Sequence, residues 1–309
     1  VNAVSIDRPG LLTTIQDEGR WGRQALGVPV SGPMDWWSHR AANILAGNAR
    51  SAATLEVTIA GPSLTPRAPL AVAVTGASFE LYAGSRSTRS PARLTLDAGE
   101  ALRFGPRMAG GRAYVAFRGG IDVPLVLGSR ATDLRSALGG LGGRALRSGD
   151  VVPIASASPV TSPTDDEIEP PEWLAAAATL RFIPHDDMED RAIERFSASI
   201  FLVSPRSDRM GYRLDGELAI EARDLRRVSR PVVMGTIQLL PAAGPVLLMA
   251  DAQPTGGYPV VGAVISGDLP IAGQLAPGDS VRFAPCTREA ALLALLERER
   301  ALPRGRNLA

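Results

Sequence analysis

The chain has 309 residues, a formal net charge of +1 and 45% apolar residues, with one cysteine and two histidines. That balance gives no electrostatic case for nucleic acid or an anionic membrane, no intramolecular disulfide and no Cys/His metal cluster, so no metal site is expected. All 33 basic residues are arginine, which excludes a Schiff-base lysine, a P-loop lysine for ATP phosphates and a lysine carrying biotin or lipoate.

The chain opens with VNAVSIDRPG, which lacks the basic, apolar, small-residue order of a signal peptide. Its apolar runs fall far short of the roughly 20 residues of a membrane span. A cytoplasmic protein is expected. Residues 13–35, TTIQDEGRWGRQALGVPVSGPMD, are long, Gly- and Pro-containing and poor in core residues. Irregular loops beyond about 12–15 residues are usually functional or disordered. Gln16, Asp17, Arg20, Ser31 and Asp35 can line a cleft there; the alternative is a surface loop with Asp17 and Arg20 as a solvated pair. MDWWSHRAANILAG, residues 34–47, reads as a helix with Asp35 as N-cap and Gly47 just past its end. In TLEVTIAGP, residues 54–62, Glu56 interrupts a β-branched run. It faces solvent on an alternating strand, or points inward and needs a partner.

LAVAVTG, RLTL, AYVAF, PVLLM and GAVIS read as strands between Gly, Pro and Asp turns. ASASPVTSPTDDEIEPPE, residues 155–172, reads as an exposed linker. It separates a β-rich domain at 1–154 from a second β domain at 173–286, with 287–309 as a C-terminal helix and tail. MEDRAIERFSAS and TREAALLALLERERAL are the other helices. The fold class is mainly β, two domains with a few short helices. DAGEALRF (97–104), RSGDVVPI (147–154) and APGDSVRF (276–283) share one form, a Gly-acid turn before an alternating strand. This points either to two domains of related design or to one turn chemistry reused.

Two later stretches carry chemistry. In SPRSDRMGYRLDG, residues 204–216, Arg206, Asp208, Arg209 and Arg213 crowd Ser204, Gly211 and Tyr212. Arginine forks suit a carboxylate or phosphate, although a solvated charge run has the same composition. ADAQPTGGYPVVG, residues 250–262, places Asp251, Gln253, Thr255, Gly256, Gly257 and Tyr258 between two apolar runs. A Gly-Gly turn lets backbone N–H groups approach an anionic oxygen, and Asp251 and Tyr258 can orient a ligand or move a proton. The alternative is a wide hairpin loop stiffened by Pro254 and Pro259. The late Cys286 reads as a small buried hydrophobe rather than a nucleophile.

Taken in order, these four motifs resemble the biotin-dependent carboxyltransferase or allophanate hydrolase subunit 2 family, from residue 4 to about residue 284. The resemblance implies two β-barrel-like, cyclophilin-like halves. It implies one component of an ATP-dependent 5-oxoprolinase that opens 5-oxoproline to glutamate with a KipI/PxpB-like subunit 1 and a PxpA-like subunit, ATP being used at the level of the complex. Two alternatives come with it. One is carboxyl transfer to urea or a related amide, with biotin carried on another protein. The other is a non-catalytic regulatory partner of a KipI-like kinase inhibitor. Residue by residue, the family motifs cover Gln16, Asp17, Arg20, Ser31, Asp35, Glu56, Ser204, Asp208, Arg209, Gly211, Tyr212, Asp251, Gln253, Thr255, Gly256, Gly257 and Tyr258. On this basis ADAQPTGGYP is expected to wall a cleft for a small polar amide or lactam, with the 13–35 loop opposite. Arg209 or Arg20 would hold a carboxylate, Asp251 or Asp17 would accept a proton, and Tyr258 would polarise the amide oxygen. The chain departs from the family where Ala252-Gln253 replaces a common His-Gln and where Ser266-Gly267-Asp268 replaces a common Ser-Ala-Asp.

Overall fold

A computed structural model describes residues 2–157, 166–167, 169, 171–174, 178–217, 228–240 and 244–303. The chain divides into two compact units, one of residues 1–20, 31–175 and 302–309 and one of residues 21–30 and 176–301.

The first unit is an open, half-barrel sheet, one of the two barrel-like halves expected. Its strands are β1 (Ala3–Arg8), β2 (Leu12–Gln16), β3 (Thr54–Thr58), β4 (Ser63–Pro66), β5 (Leu70–Ala83), β6 (Arg86–Arg89), β7 (Ala92–Leu96), β8 (Leu102–Phe117), β9 (Val151–Pro153) and β10 (Asp166–Glu167). The order is β10-β7-β5-β8-β4-β1-β9, with β2 on β3, β3 on β8, and β6 on β5. Asp166–Glu167 lie inside the segment read as linker, yet pair with β7; residues 158–165 of that segment lie outside the described residues. One face of the sheet buries Ile6, Ile15, Leu55, Val57, Val72, Val74, Phe79, Leu94, Val115 and Phe117 in a single cluster. Helix α1 (Trp36–Ala46) packs Ala42 and Ala46 on Ala73, Tyr114 and Ala116. These small side chains let the helix approach β5 and β8 closely. Asp35 is its N-cap, accepting from Ser38 N at 2.9 Å, and Gly47 closes it at φ 75°.

The second unit is a closed barrel of β11 (Ala178–Pro184), β12 (Phe201–Val203), β13 (Gly211–Asp215), β15 (Thr236–Leu240), β16 (Gly244–Leu248), β18 (Val260–Val264) and β19 (Ser280–Pro285). A two-residue ribbon, β14 (Arg230–Pro231) against β17 (Thr255–Gly256), stands apart from it. Helix α2 (Asp190–Ala198) inserts Phe196 among Phe182, Phe201 and Phe283, with ring centroids 5.0–5.7 Å from it. The short α3 (Leu269–Gln274) was not expected from the sequence; α4 (Arg288–Arg300) was. Arg181 forks onto the buried Asp268 at 2.9 and 2.6 Å, tying β11 to the start of α3.

The three Gly-acid octapeptides fold alike. Gly99, Gly149 and Gly278 have φ of 78°, 87° and 91°, a region that favours glycine. In each, the acid after the glycine accepts from the backbone N three residues earlier. Glu100 takes Asp97 N at 3.0 Å, Asp150 takes Arg147 N at 2.7 Å, and Asp279 takes Ala276 N at 2.8 Å. Each acid's own N returns to that residue's carbonyl, at 3.0–3.1 Å. The bond from Asp97 N holds Glu100 below the usual carboxylate range, and the Arg144 fork does so for Asp150.

Candidate functional site

The stretch read as a cleft-lining loop is divided, with 13–20 and 31–35 in the first unit and 21–30 in the second, and its exposure is split. Residues 31–35 are buried, while Trp21 and Leu26 are exposed. Gln16, Asp17 and Arg20 reach across to residues 126–132. Gln16 Nε2 donates to the Thr132 carbonyl at 3.0 Å. Asp17 accepts from Ser129 Oγ at 2.5 Å, Arg130 N at 2.6 Å and Gly19 N at 3.0 Å. Arg20 is 1% exposed and donates to the carbonyls of Val126 and Ala131. The solvated Asp17–Arg20 pair is therefore not what forms: both groups are buried, Asp17 bonded to Ser129 and loop backbone and Arg20 to loop carbonyls. Ser31 adopts φ 57°, and its buried Oγ meets no partner among the described residues, nor does Gln16 Oε1.

Glu56 points inward. Its Oε2 accepts from Met34 N at 2.9 Å and from Tyr114 Oη at 2.8 Å, and Oε1 lies 3.9 Å from Arg112 Nε. The Tyr114 hydroxyl accepts from Asp35 N at 2.8 Å. Burial, with the Glu56 carboxylate beside it, raises Tyr114 well above the ordinary tyrosine value, so the hydroxyl stays protonated and donates. Asp35 and Glu56 are thus brought together through Tyr114, a residue the sequence reading did not single out.

His39, on α1, is wholly buried, with Nδ1 2.9 Å from Thr54 Oγ1 and no partner for Nε2 among the described residues. Burial lowers its pKa from 6.5 to about 4, against the opposing pull of Glu18 and Asp17. The folded state holds His39 neutral, whereas the unfolded chain binds a proton below pH 6.5. Stability from this group is therefore full above pH 6.5 and falls as pH drops towards 4, by roughly 3 kcal/mol in all. Urea unfolding at stepped pH should show this decline, and His39→Gln should flatten it; parallel curves for the two proteins would refute it.

In the second unit, Arg209 and Asp251 form a bidentate pair, Nε to Oδ2 at 2.9 Å and Nη2 to Oδ1 at 3.0 Å, with side chains 4% and 5% exposed. The register of β13 against β16, Gly211 opposite Leu248, carries on through Met249 N to the Met210 carbonyl and Asp251 N to the Arg209 carbonyl. The sequence offered each as a ligand group; the fold turns them on each other. Asp208 accepts from Met210 N at 2.8 Å and Gly211 N at 3.3 Å, shaping the turn into β13. Ser204 is buried, and its N donates to the Arg213 carbonyl. Tyr212 is 1% exposed, opposite Leu247. Among the last motif's residues, Gln253 and Gly257 are half-buried, Thr255 is exposed and pairs with Pro231, and Tyr258 is 42% exposed. Cys286 is half-buried and burial pushes its thiol up, so it makes a poor nucleophile.

Gly256 and Tyr258 line a pocket of about 450 Å³ beside the barrel, with Pro184, His185, Asp187, Arg230, Thr236 and Pro259 among the other lining residues. Sequence reasoning missed this set. Its only local signal was His185-Asp186-Asp187 at the end of a strand; Arg230 comes from a segment 45 residues further on.

A model of the carboxyltransferase domain, subdomains A and B, matches residues 26–285. The chain is 34% identical over 300 residues to the C subunit of 5-oxoprolinase from Escherichia coli, covering 96% of each. Its structure is similar to that of TTHA0988 (TM-score 0.82, 32% identity), covering 92% of this chain and 55% of that one. It is also similar to K. lactis urea amidolyase (TM-score 0.86, 29% identity), covering 97% of this chain and 20% of that one. The chain thus spans about half of one solved relative and a fifth of the other. It belongs to the carboxyltransferase domain family, subdomains A and B.

Proposed function

We propose that the chain is the C-type component of an ATP-dependent 5-oxoprolinase. It would open the lactam of 5-oxoproline to glutamate with a KipI/PxpB-like and a PxpA-like partner. The observation that carries this reading is the end-to-end correspondence with the C subunit of 5-oxoprolinase, 96% of both chains. The lysine-free composition fits a protein that relies on partners for ATP, since a P-loop needs a lysine. In this reading Tyr258, exposed at its pocket, polarises the amide oxygen. Arg209 and Asp251 act as a positioning pair.

The second reading is carboxyl transfer to an amide, favoured by the likeness to urea amidolyase. Any biotin would then ride on another protein. The deciding assay measures phosphate and glutamate released from ATP plus 5-oxoproline by the three purified proteins, each omitted in turn. Activity that requires this chain is the expected result. An inert complete mixture would overturn it and bring forward carboxylation of urea with a biotinylated carrier.

A further inference from the structure

The pocket beside the barrel lies within the second unit. Its walls come from elements far apart in sequence. The end of β11 and the following turn give Pro184, His185, Asp187 and Met188; the β14–β17 ribbon and its flanks give Arg230, Pro231, Val232, Gly256 and Tyr258. The walls are mainly apolar, and the charged lining is of both signs: Asp186 and Asp187 against Arg230 and Arg288. Asp187 Oδ2 lies 3.5 Å from Arg230 Nη1, and its N donates to His185 Nδ1 at 3.2 Å. A site with donors and acceptors of both charges suits a ligand that is itself mixed, rather than a simple anion.

A second observation lies behind the wall, against Gly256. Gln238 is 1% exposed, and its Nε2 meets no acceptor among the described residues. A buried amide N–H without a partner costs about 1–3 kcal/mol, so its presence calls for an explanation. Gln238 is two residues along β15 from Thr236 and is paired with Val260, both of which line the pocket. A Cβ on Gly256 would collide with Nε2, so the amide lies directly against a glycine of the pocket wall. That glycine belongs to a ribbon two residues wide, tied by one further bond, Val232 N to the Pro254 carbonyl at 2.9 Å. For a ligand oxygen in the pocket to reach Nε2, this ribbon has to give way at Gly256.

We propose that this pocket binds a small molecule carrying both a carboxylate and a secondary amide. Arg230 takes the carboxylate, Asp187 the amide N–H, and Gln238 Nε2 shares the amide carbonyl with the Tyr258 hydroxyl, while Pro184, Pro231 and Pro259 pack the carbon skeleton. The choice of 5-oxoproline among such molecules rests on the function proposed above.

Calorimetric titration of the full chain alone, without ATP or partners, tests this. Three probes are compared: 5-oxoproline, 2-pyrrolidinone (no carboxylate) and proline (no amide carbonyl). Saturable binding of 5-oxoproline is expected, with both other probes weaker. Arg230→Ala, at an exposed position, should weaken 5-oxoproline roughly tenfold or more and leave 2-pyrrolidinone unchanged. Gln238→Leu should weaken both lactams by a similar factor and leave proline unchanged. Absence of saturable binding, or insensitivity to either substitution, overturns the site. A silent pocket in a chain that still supports the reconstituted complex rejects the site alone. A pocket that binds in a chain whose complex is inert rejects the 5-oxoprolinase reading alone.

Discussion

Replacing Arg209 with Met is expected to cost the second unit about 3–5 kcal/mol, because it strands the Asp251 carboxylate in a site 5% exposed. A loss of that size lowers the Tm of a unit this large by roughly 10 °C or more. The reason is asymmetric. The intact pair offsets its desolvation through two aligned charge-assisted hydrogen bonds, but a single buried charge has nothing to offset it. Arg209→Met combined with Asp251→Leu should therefore recover much of the loss, since neither charge remains. Calorimetric melting of the four proteins gives the cycle directly, and a double variant as unstable as the sum of the singles would refute the account. In the reconstituted complex, Asp251→Asn separates positioning from proton transfer. If the pair only positions, Asp251→Asn and Arg209→Met lower activity together. If Asp251 accepts a proton, Asp251→Asn alone drops turnover about 100-fold or more.

The second large effect is expected at Glu56. Glu56→Leu removes the acceptor for Met34 N and for the Tyr114 hydroxyl, and it leaves the buried Arg112 without the carboxylate 3.9 Å away. Together these should destabilise the first unit by about 3–5 kcal/mol. Tyr114→Phe should cost less, about 1–3 kcal/mol, since it orphans Asp35 N and one lone pair of Glu56. The two substitutions share one hydrogen bond, so the double variant should be less damaged than their sum. Urea midpoints at constant m test this, and strict additivity would show that Tyr114 and Glu56 are not coupled.

Local features of the fold were legible where local chemistry decides. The N-cap of α1 at Asp35 and its end at Gly47 follow from a side-chain acceptor and a left-handed glycine, which need no distant partner. The hydrophobic runs at LAVAVTG and AYVAF mark real strands, but not their length. β5 and β8 run for 14 and 16 residues because register shifts near Gly76 and Ser78 let the pair continue past residues that look like breaks. The direction of Glu56 was not legible. All but the last residue of β3 is buried, so alternation carries no signal there. The motifs of the two units were visible as clusters of polar residues, but what each residue does depends on partners far along the chain. Asp17 meets Ser129 and Arg130; Arg209 meets Asp251 across a strand register. The pocket was invisible because its polar lining comes from separate stretches, His185 to Asp187, Arg230, Thr236 and Tyr258, and none of them alone outlines a site.

The three Gly-acid octapeptides bear on how the two halves are compared. Each turn closes on itself with one side-chain bond and one main-chain bond across four residues, and its glycine N donates to a neighbouring strand, at the carbonyls of Pro66, Ile6 and Val203. The strands it starts hold unlike places: β8 lies inside the open sheet, β9 ends that sheet's order, and β19 is a stave of the closed barrel between β12 and β11. An alignment of the halves seeded on these peptides would superpose strands that have different neighbours. Shared ancestry of the two units has to be sought in strand order and register, because the same turn, docked by one glycine N–H on whichever strand lies beside it, can arise wherever a strand needs a sharp beginning.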